Sequence, residues 1–167
     1  MQIRIRSTGQ VLLQHEWEKW VAQTYAKSLS GISEEAVNRF ESDIVFEGPQ
    51  ASGGTVYQYS QRDGVEEVEG KWYTKYILGP VFTDTAATDT QPAKTAAENE
   101  AEYKARKDAE QAASVRTQRT QKLSDSDWTQ IADSTADKAA WATYRQALRD
   151  ITTASGFPWT MTWPESP

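Results

Sequence analysis

The chain contains no cysteine. That absence excludes disulfides, thiolate nucleophiles and cysteine-ligated zinc, and it means that no oxidising compartment is needed, which suits a cytoplasmic protein. Histidine is nearly absent as well, with one residue, His15, in 167. A Ser-His-Asp triad would have to use it. It sits in Gln14-His15-Glu16, however, and no G-x-S-x-G nucleophile elbow occurs anywhere, so His15 reads as a surface or packing residue. No run of about 18 apolar residues exists, so no membrane-spanning helix is expected. The start, Met1-Gln-Ile-Arg-Ile-Arg, lacks the apolar core of a signal peptide. Basic residues are in the minority, 18 Lys and Arg against 24 Asp and Glu for a net charge of −6. Such a chain is poorly suited to neutralising phosphates, which argues against nucleic acid as a partner and against docking on anionic lipid. The charge is most simply a solubility device.

The carboxylate clusters read as solvated faces rather than active sites; because a catalytic carboxylate pair is set by three-dimensional separation, a small carboxylate-dependent hydrolase stays as the minor alternative. Glu66 and Glu67 are adjacent in a predicted strand and point to opposite faces. Glu34-Glu35 reads as a solvated cluster. Gly53-Gly54 is not followed by the Lys-Ser/Thr of a phosphate loop. Asp63, Asp84 and Asp89 lack the spacing and closing Glu of a calcium loop. The expectation is therefore a non-enzyme with no catalytic residues, metal site or cofactor.

What the chain does have is aromatic surface: seven Trp, seven Tyr and four Phe. These supply much of the apolar payload in a chain whose mean hydropathy is −0.73. Because small domains are marginal, a second subunit or a partner is a plausible way of completing the fold, and self-association stays open.

Alternation of Ile3 and Ile5 with Gln2, Arg4 and Arg6, a turn at Ser7-Thr8-Gly9, and Val11 and Leu13 on the return predict a β-hairpin over 1–14. Trp17, Trp20, Val21 and Tyr25 at helical spacing predict a helix over about 15–29. Ser33 as N-cap with Ala36, Val37 and Phe40 predicts a short helix near 33–41. Residues 43–82 read as β-rich. Thr55, Tyr57 and Tyr59 share one strand face, Asp63-Gly64 is a two-residue hairpin signal, and Glu69-Gly70 turns the chain into Lys71–Leu78. The expected result is a three-stranded antiparallel meander over 55–78, with Gly64→Val breaking a type I′ turn.

Residues 83–97 lose the aromatics and read as a linker or the frayed entry to a helix. From about 96 to 123 the composition is Ala, Glu, Lys, Arg and Gln, with no Gly or Pro, and helix propensity is high throughout. Acidic residues lead and basic residues trail, which complements the macrodipole. Tyr103, Val115 and Leu123 are its few large apolar residues, so it reads either as a solvated spacer or as a helix that pairs with another chain. A further helix is predicted over about 135–152, with Trp141, Tyr144, Leu148 and Ile151 as one stripe. Trp128 is expected to pack against that stripe, and Trp141→Ala to lose about 3–5 kcal/mol if the ring is fully buried. In Phe157-Pro158-Trp159-Thr160-Met161-Thr162-Trp163-Pro164, alternation predicts an extended tail with Phe157, Trp159, Met161 and Trp163 on one side. That face either folds back on the helices, part of it on the 136–151 helix, or docks on a partner.

The fold class is thus α+β: a small antiparallel β-rich head with short helices (1–82), a linker (83–97), then a long helix and a helical hairpin with an extended tail (98–167). The C-terminal third carries a specific pattern. It runs from Arg119 and Leu123 through Asp127-Trp128-Thr129-Gln130 and Ala140-Trp141-Ala142-Thr143-Tyr144-Arg145-Gln146-Ala147-Leu148-Arg149-Asp150. It closes with Phe157-Pro158-Trp159 and Trp163-Pro164-Glu165-Ser166-Pro167. Over about 112–167 this resembles the phage tail assembly chaperone family and the C-terminal part of the tail fibre assembly proteins. The resemblance implies a helper that binds a tail fibre subunit or other tail protein and aids its folding, trimerisation or attachment. It would act in the host cytoplasm during assembly; the alternative is a permanent fibre-tip component that contributes to host contact. The candidate partner-binding residues are Trp128, Trp141, Tyr144, Arg145, Leu148, Phe157, Trp159, Met161, Trp163 and Pro164.

Overall fold

The computed structural model describes residues 1–27, 29 and 31–167. They form two compact units, Met1–Val81 and Phe82–Pro167, and the architecture is the expected α+β, a curled sheet followed by a long helix and C-terminal helices.

In the first unit, β1 (Gln2–Ile5) pairs antiparallel with β2 (Val11–Leu13) on one side and with β3 (Ser42–Phe46) on the other. β4 (Tyr59–Val68) and β5 (Lys71–Gly79) form a second hairpin. A short parallel pairing, Val45 opposite Trp72, joins the two, so the sheet order is β2-β1-β3-β5-β4 and the sheet is not wholly antiparallel. The first hairpin is as predicted, with one change of face. Ile3 pairs with Leu12, and it is Leu12, not Val11 or Leu13, that packs with Ile3 and Ile5 against the core.

α1 (Gln14–Tyr25) begins where the Glu16 carboxylate accepts the Leu13 N–H at 2.8 Å. It ends at Ala26, whose φ of 51° is left-handed and cannot continue a helix. The expected extension towards residue 29 is therefore cut short, and residue 28 of that span lies outside the described residues. α2 (Glu34–Arg39) has the predicted cap, with the Ser33 hydroxyl accepting the Ala36 N–H at 3.1 Å. Both helices lay their apolar residues on β1: Trp17, Val21, Val37 and Phe40 close over Ile3 and Ile5.

The predicted meander is corrected. Thr55 and Tyr57 lie in a turn, with the Gln58 N–H bonded to the Thr55 carbonyl at 3.0 Å, and β4 starts only at Tyr59. Asp63-Gly64 does not reverse the chain. β4 runs through it as one ten-residue strand with a register shift between Arg62 and Val65. A type I′ turn needs positive φ at both central residues, and of this pair only Gly64 has it, at 82°. Glu69 and Gly70, at 51° and 75°, both satisfy the requirement, and the reversal between Val68 and Lys71 occurs there. A Cβ at Gly64 would meet nothing within 4 Å, so substitution meets backbone strain alone. Gly64→Val and Gly64→Ala should each lower stability by about 1–2 kcal/mol in urea unfolding, with the β4–β5 hairpin retained.

In the second unit, residues before the long helix form an organised entry. Thr85 bridges Lys94, and the Phe82 ring sits 5.3 Å from that of Tyr103. The Asp84 carboxylate accepts the Ala96 N–H at 2.7 Å. α3 (Ala96–Asp125) opens with a capping box in which Thr95 and Glu98 satisfy each other's N–H groups. Hydrogen bonds from the Thr95 backbone and hydroxyl hold the Glu98 carboxyl below the usual carboxylate range. This cap is thus intact at neutral pH and is lost only as pH falls through that lowered value. Ion pairs such as Glu100–Lys104 and Arg106–Glu110 line the exposed faces of α3, each a minor contribution. Only Ala112 and Val115 of this helix are buried.

A short 3-10 helix, Asp127–Gln130, leads towards α4 (Lys138–Asp150), where the Asp137 carboxylate accepts the Ala139 and Ala140 N–H groups. A second 3-10 turn, Ile151–Thr153, extends α4. The predicted stripe is mostly interior: Leu148, Ile151 and Tyr144 are buried, while Trp141 is half-buried. No described helix is long and apolar enough to cross a membrane.

Candidate functional site

Arg145 organises the link between α3 and α4. From α4 its Nη1 donates to the Leu123 carbonyl at 2.8 Å and to the Ser126 hydroxyl at 2.6 Å, and its Nη2 donates to the Asp127 carboxylate at 2.8 Å. The end of a helix leaves carbonyls without partners and carries partial negative charge, so a guanidinium there satisfies both needs. Thr129, fully buried, donates its hydroxyl to the Ser126 carbonyl at 2.7 Å. Gln130 in turn donates to the Thr129 oxygen at 2.8 Å. Ser126, Thr129 and Arg145 therefore hold the link from within, and Asp127 and Gln130 bond to them from the exposed side.

Trp128, between Asp127 and Thr129, points the other way and is 53% exposed. It is not loose. Its ring stands edge-on to Trp141 at 5.8 Å, and Trp141 stands edge-on to Tyr144 at 5.5 Å. Three rings thus step from the interior to the surface. Ile131, three residues on, is 55% exposed beside this link.

Of the ten candidate residues, Tyr144, Arg145 and Leu148 lie inside the unit, where a partner cannot reach them without rearrangement. Trp128 is exposed, and Trp141, Phe157, Trp159, Met161, Trp163 and Pro164 are half-buried. Trp141 is therefore not the fully buried ring that a loss of about 3–5 kcal/mol would require.

The tail departs from the expected extended form. Gly156, with φ of 82°, starts a compact turn in which the Trp159 and Thr160 N–H groups bond to the Gly156 carbonyl at 2.8 and 2.7 Å. Only from Met161 onward does the chain lack turns. The alternation of large and small residues imitates a strand, but Gly-Phe-Pro is turn chemistry and prevails. Polar and ring contacts tie the tail to α3. Trp159 Nε1 donates to Asp108 at 2.6 Å, and Gln111 donates to the Pro158 carbonyl at 3.4 Å. Arg116 lies over the Phe157 ring at 5.7 Å, and Lys122 over Trp163 at 5.4 Å.

Sequence reasoning missed Ile131 and the inward roles of Ser126 and Thr129. Ser126-Asp127 just after a long helix is a capping signal that could have suggested them. Among the described residues no group of His, Asp and Glu is placed to hold a metal ion.

The aromatic steps, the Arg145 node and the folded tail all belong to one stretch of chain. Residues 112–167 match the phage tail assembly chaperone protein family. No curated protein and no solved structure matches the chain. The chaperone match begins at Ala112, the first buried residue of α3, and takes in the Arg145 node, α4 and the tail. Residues 1–111 lie outside it, so the family bears on the second unit and says nothing of the sheet.

Proposed function

We propose that this protein is a non-enzymatic tail assembly chaperone that binds a tail fibre subunit in the host cytoplasm and aids its folding, trimerisation or attachment. The family match over 112–167 carries the reading. The physical support is a surface aromatic, Trp128, held in place by buried hydrogen bonds and ring contacts. A rigid aromatic anchor loses little entropy on binding, and Trp is among the residues that dominate interface energetics. Trp141, whose ring meets that of Trp128, extends that surface, while Tyr144, Arg145 and Leu148 act by supporting it. Fibre subunits present long strand edges before they trimerise, and such edges aggregate unless covered.

The test is deletion of the gene from the phage, with mass spectrometry of purified particles. A chaperone of this kind is absent from wild-type virions, and its deletion removes trimeric fibre. A stoichiometric amount in the virion, with normal fibre trimers on its deletion, points instead to a permanent tail component.

A further inference from the structure

The link between α3 and α4 is rich in aspartate, and the ammonium of Lys138, the first residue of α4, reaches back to donate to the Ala132 carbonyl at 3.3 Å. From Ser124 to Asp137 the chain has four aspartates, Asp125, Asp127, Asp133 and Asp137, and no Lys or Arg. Arg145 neutralises only Asp127. Asp125 accepts a hydrogen bond from the neutral Gln121 amide, and the Asp137 carboxylate caps α4 by accepting the Ala139 and Ala140 N–H groups. The C-terminal end of α3 adds its own partial negative charge here. The same short stretch holds two of the exposed large apolar residues of the unit, Trp128 and Ile131.

We propose that this link is the docking point for the partner, and that the partner surface it fits is basic: an apolar slot for Trp128 flanked by Arg or Lys. The inference rests on the chaperone reading and adds the chemistry of the contact. An indole fills an apolar slot and offers its π face to a guanidinium or ammonium, and the aspartates around it repay a cationic rim and repel an acidic one. The two parts of the contact have separable effects. The desolvated anchor governs how slowly the complex dissociates, whereas the rim charges govern how fast it forms. The net charge of −6 supports the same steering.

The experiment measures association and dissociation of the full chain with the purified tail fibre subunit of the same phage, by surface plasmon resonance, at low and high salt. Trp128→Ala is expected to weaken binding about 30-fold, mainly through faster dissociation. The double variant Asp125→Lys with Asp133→Lys is expected to slow association about tenfold, and raised salt to slow association of the wild type but not of the variant. The charge variant alters exposed groups, so its circular dichroism and melting temperature stay near wild type, whereas Trp128→Ala loses the ring contact with Trp141 and melts a few degrees lower with its circular dichroism unchanged. If Trp128→Ala fails to fold, the charge variant still decides. Wild-type binding that neither change weakens, or that strengthens when the aspartates are reversed, overturns the basic docking surface while leaving the chaperone reading in place. Failure of the wild type to bind the subunit overturns both.

Discussion

Trp17→Ala lowers the stability of residues 1–81 by about 3–5 kcal/mol, the range for truncating a fully buried large aromatic. Trp17 is the largest completely buried side chain among the described residues. It fills the space between β1 and the two helices, edge-on to Phe40 at 6.0 Å, with Ile3, Ile5, Val21 and Val37 in the same cluster. Its indole N–H is not wasted in the core. Nε1 donates to the Ser42 hydroxyl at 3.0 Å, and that hydroxyl donates to the Phe40 carbonyl at 3.0 Å. Trp17→Phe therefore separates the two contributions. It keeps most of the volume and loses the hydrogen bond, and it should cost roughly half as much as Trp17→Ala. Small domains have stabilities of about 5–15 kcal/mol, so the alanine substitution removes a large fraction of the total. Urea titration followed by circular dichroism, with amide exchange of β1 as the local probe, measures both. Wild-type stability in Trp17→Ala would contradict the described core.

Arg145→Met should lower the stability of residues 82–167 by about 2–3 kcal/mol. The side chain of Arg145 is only 11% exposed, and its substitution removes the donor for the Leu123 carbonyl, the Ser126 hydroxyl and the Asp127 carboxylate together. Unpaired buried polar groups each cost about 1–3 kcal/mol. Asp127 is 65% exposed and recovers water, which keeps the total below the simple sum. Arg145→Lys restores the charge but not the forked geometry, so it recovers less than half of the loss. The same change loosens the link that presents Trp128. With Trp128 as the proposed anchor, Arg145→Met should therefore also weaken binding of the fibre subunit. Chemical denaturation gives the first effect, and binding of the fibre subunit gives the second.

The parts of the fold legible in the sequence were those fixed by local chemistry. Alternation of Ile3 and Ile5, the Ser33 cap and the Trp141–Ile151 stripe each report a period or a cap that tertiary structure had no reason to override. The parts that were not legible depend on competition between signals. Asp63-Gly64 has the composition of a hairpin turn, but a glycine with positive φ serves a bulge as well as a turn, and Glu69-Gly70 takes the reversal. Likewise the tail alternates as a strand does, yet Gly156 and Pro158 redirect it onto α3. Within the candidate site, spacing alone could not sort the residues by direction. Arg145 is aliphatic enough along its stem to enter the interior, and its charge finds partners across the turn. Trp128, between two residues whose polar atoms bond inward, is turned to solvent. The parallel pairing of β3 with β5 has no local signature, because nothing in either strand names its partner.

The proposed promotion of tail fibre assembly is measured most directly by the yield of trimer when the purified fibre subunit is refolded with and without the chain. The account predicts a severalfold rise in trimer at stoichiometric amounts of the wild-type chain, reduced with Trp128→Ala and with Arg145→Met. A yield unchanged by the wild-type chain, or raised equally by both variants, would contradict it.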